Sequence, residues 1–103
     1  MKNIQQFVKQ AEQMQKKMAV LQEKLADERV EASAGGGVVT AVVNGRHELV
    51  KLTIKPEVVD PTDVGMLEDL IVTAINEAQR RAEEQIQSEL AKVTGGMTFP
   101  GLF

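Results

Sequence analysis

The chain has 103 residues, 43% of them hydrophobic, with no Trp, no Tyr, no Cys and only three Phe. That length holds one domain with a modest, aliphatic core, and the lack of Cys excludes disulfides, thiolate metal sites and a cysteine nucleophile. The net charge of −3 is unevenly spread, with nine Lys/Arg against six Asp/Glu in residues 1–55 and three against nine in residues 56–103, which points to separate faces with separate roles.

The first predicted element is a long helix, about Asn3 to Asp27. Ile4, Ala11, Met18 and Leu25 recur at seven-residue intervals, and Phe7, Met14 and Leu21 recur three places later. This is the a/d pattern of a coiled coil sustained for about three heptads. So narrow a seam fits a helix–helix contact, within the chain or with a second chain. The other reading is a helix lying flat on its own sheet.

Strands follow. Val30, Ala32 and Ala34 alternate with Glu31 and Ser33, and Gly35-Gly36-Gly37 turns the chain. Val38 to Val43 is β-branched apart from Ala41, and Asn44-Gly45 is a strong hairpin signal. Leu49 to Ile54 alternates again. The predicted inward set is Val39, Ala41, Val50, Leu52 and Ile54, in a three-stranded antiparallel meander with one wet face. Pro56 and Pro61 bound a connector, and Thr62 or Asp63 offers an N-cap. A second long helix is predicted from Val64 to Val93, its first half packed on the sheet and its second half projecting. Gly95-Gly96 stops it. Residues 1–94 thus read as a single α+β domain of order α-β-β-β-α, and residues 95–103 as an apolar tail containing Gly and Pro. One helix can cover the sheet, which leaves the heptad helix and the outer half of the last helix without a partner. The simplest remedy is a symmetric homodimer.

Catalytic and metal-binding motifs are missing. The one histidine, His47, falls in the hairpin loop and reads as a solvated side chain. No HExxH or second His accompanies it, and no triad can be assembled around it. Gly35-Gly36-Gly37 lacks the Lys-Ser/Thr of a phosphate loop and precedes a strand, so it reads as a turn. Neighbouring carboxylates such as Glu68-Asp69 and Glu83-Glu84 diverge on a helix and read as solvated faces. The expectation is a protein with no enzymatic activity, no cofactor, no metal and no small-molecule substrate. No apolar run reaches the roughly 18 residues of a membrane helix, and no signal-peptide stretch follows Met1-Lys2-Asn3. No membrane partner is therefore expected, and a cytoplasmic location is.

The informative constellation is basic. In the heptad frame Lys2, Lys9 and Lys16 share position f, and Lys17 and Lys24 the adjacent position g. These five lysines form a stripe facing away from the a/d seam, either a solvated face or a surface that tracks phosphates. Arg80-Arg81 is a smaller basic site, open to local ion pairing with Glu77, Glu83 and Glu84. No aromatic residue is interleaved with these bases, which argues against stacking on single strands.

Several segments, taken in order, resemble the YbaB/EbfC family of nucleoid-associated proteins. These are the run from Val30-Glu31-Ala32-Ser33-Ala34-Gly35-Gly36-Gly37 through Asn44-Gly45, Ile54-Lys55-Pro56-Glu57-Val58-Val59, Met66-Leu67-Glu68-Asp69-Leu70, Ala74-Ile75-Asn76-Glu77-Ala78, and Gly95-Gly96-Met97. The resemblance covers nearly the whole chain. It implies a tweezer-like homodimer whose projecting helices bind duplex DNA in the nucleoid and alter its conformation. On this chain those helices carry Lys2, Lys9, Lys16, Lys17 and Lys24, together with Arg80 and Arg81. With lysines and no forked Arg on the stripe, phosphate contacts would outweigh base readout. The competing reading is a protein–protein adaptor that docks through the heptad helix and the apolar tail.

Overall fold

The computed structural model describes residues 2–93, with the backbone alone for Lys2 and Val93. The tail expected at 95–103 lies outside the described residues. Helix α1 spans Lys2–Asp27. No Gly or Pro interrupts it, and Gln, Lys, Glu and Ala fill most positions off the seam, all good helix formers. Lys24 in the last turn complements the helix dipole, and Glu28 N donates to Leu25 O at 3.2 Å as the helix ends. After that one residue come β1 (Arg29–Ala34), β2 (Val39–Asn44) and β3 (Leu49–Ile54), an antiparallel sheet in the order β1-β2-β3. A 3-10 turn at Pro56–Val58 leads to α2, Val64–Val93. Asp63, one of the two predicted caps, is the one used: its Oδ1 accepts the Met66 amide at 3.2 Å. Asp60 shapes the approach to it, accepting from Thr62 Oγ1 at 2.7 Å and Thr62 N at 2.9 Å. These hydrogen bonds, the hydroxyl's foremost, hold the Asp60 carboxyl below its usual pKa. The expected α-β-β-β-α order is what the chain forms.

The core is built from small side chains. Ala74, Ala78 and Ala82 lie at successive turns of α2 and are buried against Ala32, Ala34, Val39, Ala41 and Val43 of β1 and β2. Alanine's short side chain lets the helix axis come close to the sheet, and the tight contact then excludes any larger residue. Packing continues past the middle of α2, since Arg81 Nη1 donates to the Glu31 carbonyl at 3.2 Å and Gln85 hydrogen-bonds the Glu28 carboxylate. Strand β3 is left beyond this cover. Leu52 and Ile54 are half-buried, and Leu49 and Val50 exposed.

Two features of the sheet differ from the expectation. Val43, not Val50, completes the inward set. Val42 pairs with Lys51 but Val43 with Leu49, so Val50 is the extra residue of a bulge and loses its inward place. A bulge of this kind leaves the alternation of the sequence unchanged and is invisible in it. The second strand also starts at Val39, because Val38 belongs to the glycine turn, where its carbonyl accepts the Lys55 amide at 2.9 Å. Gly35, Gly36 and Gly37 all have positive φ, at 62°, 72° and 98°, which explains three glycines in a row.

The hairpin after β2 is where Asn44-Gly45 placed it, but the loop works differently. His47 N donates to Asn44 O at 3.1 Å, and His47 itself holds the left-handed conformation at φ 64°. This is a three-residue loop closed by a left-handed residue. Asn44 Oδ1 accepts the Arg46 and Glu48 amides at 2.9 and 3.0 Å. Gly45 serves a close approach instead of a positive φ. A methyl group there would overlap the Leu25 carbonyl oxygen and come within 2.6 Å of its carbon and 2.9 Å of Ala26 Cα. The last turn of α1 therefore rests backbone to backbone on the hairpin.

From that junction α1 runs outward. The molecule measures 74 × 21 × 17 Å with a radius of gyration of 19.7 Å, against about 13 Å for a compact domain of this length. Within the chain the heptad helix neither lies flat on the sheet nor meets a helix along its whole length: α1 touches α2 and β2 at its base, and its outer turns are exposed. Gly45→Ala should lower Tm by about 4–24 °C, from an overpacking cost of about 1–3 kcal/mol. It should also speed amide exchange around Leu25–Glu28. Gly36→Ala, which meets open space, should cost only the left-handed penalty of about 1–2 kcal/mol and leave those amides protected. Equal exchange in both variants would contradict the junction.

Candidate nucleic-acid interface

Because α1 projects, its outer face is open to a long ligand. Lys9, Lys16, Lys17 and Lys24 are all exposed on it. Lys9 to Lys24 spans fifteen residues, about 22 Å of helix. The stems of Lys16, Lys17 and Lys24 line a shallow apolar depression with Val20 and Leu21, an arrangement that keeps the ammonium groups in water while the methylenes pack. Among the described residues no ion pair engages any of these four lysines. The side chain of Lys2 lies outside the described residues.

Arg80 and Arg81 are placed differently. Arg80 donates to both Glu77 oxygens, at 3.1 and 2.6 Å, and to Glu84 at 2.5 Å. Arg81 donates to Glu77 at 3.2 Å and, through Nη1, to the Glu31 carbonyl of β1. Of the local ion pairing open to these arginines in the sequence, the helix forms that with Glu77 and Glu84 but not with Glu83, and Arg81 in addition staples α2 to the sheet. The Arg80 hydrogen bond is the main reason the Glu77 carboxyl sits below its ordinary pKa, with Arg81 adding to it. Glu77 in turn raises the Arg80 guanidinium.

His47 is half-exposed, as a loop histidine should be, but it is not simply solvated. Its Nδ1 lies 3.0 Å from Gln79 Oε1, Gln79 Nε2 donates to its carbonyl at 2.8 Å, and its Nε2 is 3.4 Å from Glu83. The hairpin that supports α1 is thereby tied to α2. The sequence holds no local signal for this, since the partners are 32 residues apart. Arg46, next to Gly45, is exposed close to the base of α1. Lys51 and Lys55 are exposed on and after β3. Among the described residues no three His, Cys, Asp or Glu side chains are grouped to hold a metal ion, and no helix is long and apolar enough to cross a membrane.

This geometry has counterparts. The family model described as the YbaB/EbfC DNA-binding family matches residues 1–97. A nucleoid-associated protein of Thermoanaerobacter pseudethanolicus is 56% identical over 101 residues, covering 98% of this chain and 91% of that one. One from Acetivibrio thermocellus is 56% identical over 102 residues, covering 98% and 90%. A crystal structure of an uncharacterized Helicobacter pylori protein superposes with a TM-score of 0.72 at 28% identity, over 88% of this chain and 95% of that one.

The carboxylate–arginine cluster is open to direct titration. Carboxyl NMR should give Glu77 a midpoint below that of an ordinary glutamate, and Arg80→Ala should raise it. A depressed pKa stabilises the fold above the ordinary glutamate value, and that contribution is lost as pH falls through the lowered one. Tm should thus fall with acidification less steeply in Glu77→Gln than in the parent. An unmoved Glu77 midpoint in Arg80→Ala would refute the assignment.

Proposed function

The chain belongs to the YbaB/EbfC DNA-binding family, and we propose that it binds duplex DNA as a homodimer through the lysine stripe of α1. The observation that carries this reading is the contrast between two sets of cations. Lys9, Lys16, Lys17 and Lys24 stand unpaired on a projecting helix, while Arg80 and Arg81 are held by Glu77, Glu84 and the β1 backbone. A phosphate must compete with a carboxylate for the arginines, but displaces only water and counterions from the lysines. Arg80 and Arg81 are accordingly secondary contacts, recruited when DNA outbids their glutamates. Lysine ammonium groups act as point charges without a fork for guanine, so contacts fall on phosphates and sequence preference is weak.

The homodimer reading has its support in what the single chain leaves outside. Its core is alanine and valine, whereas Ile4, Phe7, Met14, Leu49, Val50 and Met66 are exposed. A second copy against the uncovered β3 side would bury apolar surface and set two α1 helices on one body, doubling the lysines that face a duplex. Two rigid arms spaced by a sheet would then favour the DNA shapes that let both engage, which is how binding would alter conformation. Such a protein acts in the cytoplasm, on the nucleoid, with no cofactor and no turnover of its own.

Sedimentation equilibrium at micromolar concentration should give twice the chain mass of 11.3 kDa. A single chain's mass across that range would rule out the dimer. Gel-shift titrations on random duplex test the stripe. Two or three lysines per helix in a dimer give a slope of log K against log salt of about −4 to −5, and each Lys→Ala change should flatten it by about 2, since symmetry removes two contacts. Changing Lys9, Lys16 and Lys17 together to Glu should abolish binding to every duplex and leave the fold intact. A folded triple variant that binds as before would move the interface to Arg46, Lys51, Lys55 or Arg80-Arg81.

A further inference from the structure

The lysines of α1 form two rows, and a third line of residues runs between them. Lys9 and Lys16 follow position f, Lys17 and Lys24 position g. Position c lies between the rows on the helix surface, since it stands four residues after f and four before g. That line holds Gln6, Gln13 and Val20. Gln13 has Lys9, Lys16 and Lys17 at i−4, i+3 and i+4, and Val20 has Lys16, Lys17 and Lys24 at i−4, i−3 and i+4. Gln13 is exposed, and Val20 is 67% exposed in the shallow depression that it lines with Leu21 and the lysine stems. Neither is used by the fold of one chain. Position c is off the a/d seam. Among the described residues no hydrogen bond engages the Gln13 side chain, whereas Gln79, Gln85 and Gln87 of α2 are all bonded.

On the reading of the stripe as a DNA surface, on which this inference rests, the two lysine rows reach phosphates on the two walls of a groove, and the line between them faces its floor. A helix with its side chains is about 10–12 Å across, and the major groove of B-DNA is about 12 Å wide. Residues 3–17 of α1 are exposed all round, so that part of the helix is open to enter it. We propose that Gln13 and Val20 touch base edges in the major groove and that both favour A·T pairs. The glutamine amide matches adenine in one plane: Nε2 donates to N7, and Oε1 accepts from the N6 amino group. The valine methyls pack on the C5 methyl of thymine, which cytosine lacks. The lysines supply affinity without regard to sequence, and the line between them adds a modest preference to it.

Titrations of the full-length protein on one A·T-rich duplex and its base analogues test this. Uracil in place of thymine removes only the C5 methyl, and 7-deazaadenine in place of adenine removes only the N7 acceptor. The parent protein should lose affinity about threefold or more on the first change and about fivefold or more on the second. Val20→Ala should bind the thymine and uracil duplexes alike, and Gln13→Ala should ignore the loss of N7. Both changes place a good helix former at an exposed position, so the fold stays. Neither removes a charge, so the slope of log K against log salt stays that of the parent. A parent indifferent to both analogues, or variants as sensitive to them as the parent, overturns the proposal. Lys17→Ala in the same titrations reports on the stripe separately. A flattened slope without any analogue effect sinks the base contacts alone, and an unflattened slope sinks the phosphate reading and this inference with it.

Discussion

The backbone-to-backbone contact between Gly45 and the last turn of α1 is the constraint on which the rest of this molecule depends. Together with the burial of Leu25 and the contacts of α1 with α2 and β2, it sets where a helix of this length leaves the sheet. The hairpin carrying Gly45 is closed by Asn44, capped by a left-handed His47 and tied to α2 through Gln79 and Glu83. Helix α2 is in turn pressed on β1 and β2 through Ala74, Ala78 and Ala82. The direction of α1 is thus inherited from the sheet through three small contacts, each of which a single added methyl or a lost hydrogen bond would disturb.

The alanine interface has a second consequence. A helix that approaches a sheet on alanines covers it thinly, and here it reaches β1 and β2 but leaves β3 open. Val39 and Val43 are the largest fully buried side chains, so hydrophobic burial within one chain is small. The larger apolar residues lie on α1, on β3 and at the start of α2. Inside small and outside large is the reverse of a self-sufficient domain, and it connects the packing of the core to the proposal of a second copy. The electrostatics follow the same division. The helix that packs, α2, neutralises its own arginines with Glu77 and Glu84, while on the helix that projects, α1, no ion pair among the described residues engages Lys9, Lys16, Lys17 or Lys24. Charge that is locally balanced steadies a helix, and charge left open is available to phosphates.

Much of this was legible in the sequence because it is periodic or local. The two helices, the order of the strands, the heptad seam and the lysines at f and g follow from spacing alone, and ordinary capping chemistry narrows the cap of α2 to Thr62 or Asp63. What escaped is what depends on contacts between distant segments. The bulge at Val50 leaves the alternation of Leu49 to Ile54 undisturbed, so the loss of its inward place could not be read there, whereas Val43 shares the parity of Val39 and Ala41. Gly45 was legible as a turn residue, but its actual constraint is the neighbouring helix. The pairing of Arg80 and Arg81 was open in the sequence, since glutamates at i−3, i−4 and i+4 can bind them or leave them free. The hydrogen bond from Arg81 to Glu31, fifty residues away, has no trace in the local pattern.

The central claim is that the unpaired lysines of α1 form the DNA surface, and lysine footprinting tests it most directly. The native protein is acetylated with and without saturating random duplex, and the modified lysines are quantified by peptide mass spectrometry. The account predicts that duplex protects Lys9, Lys16, Lys17 and Lys24 while Lys51 and Lys55 react at the same rate in both samples. Protection of Lys51 and Lys55 with the α1 lysines still reactive would contradict it.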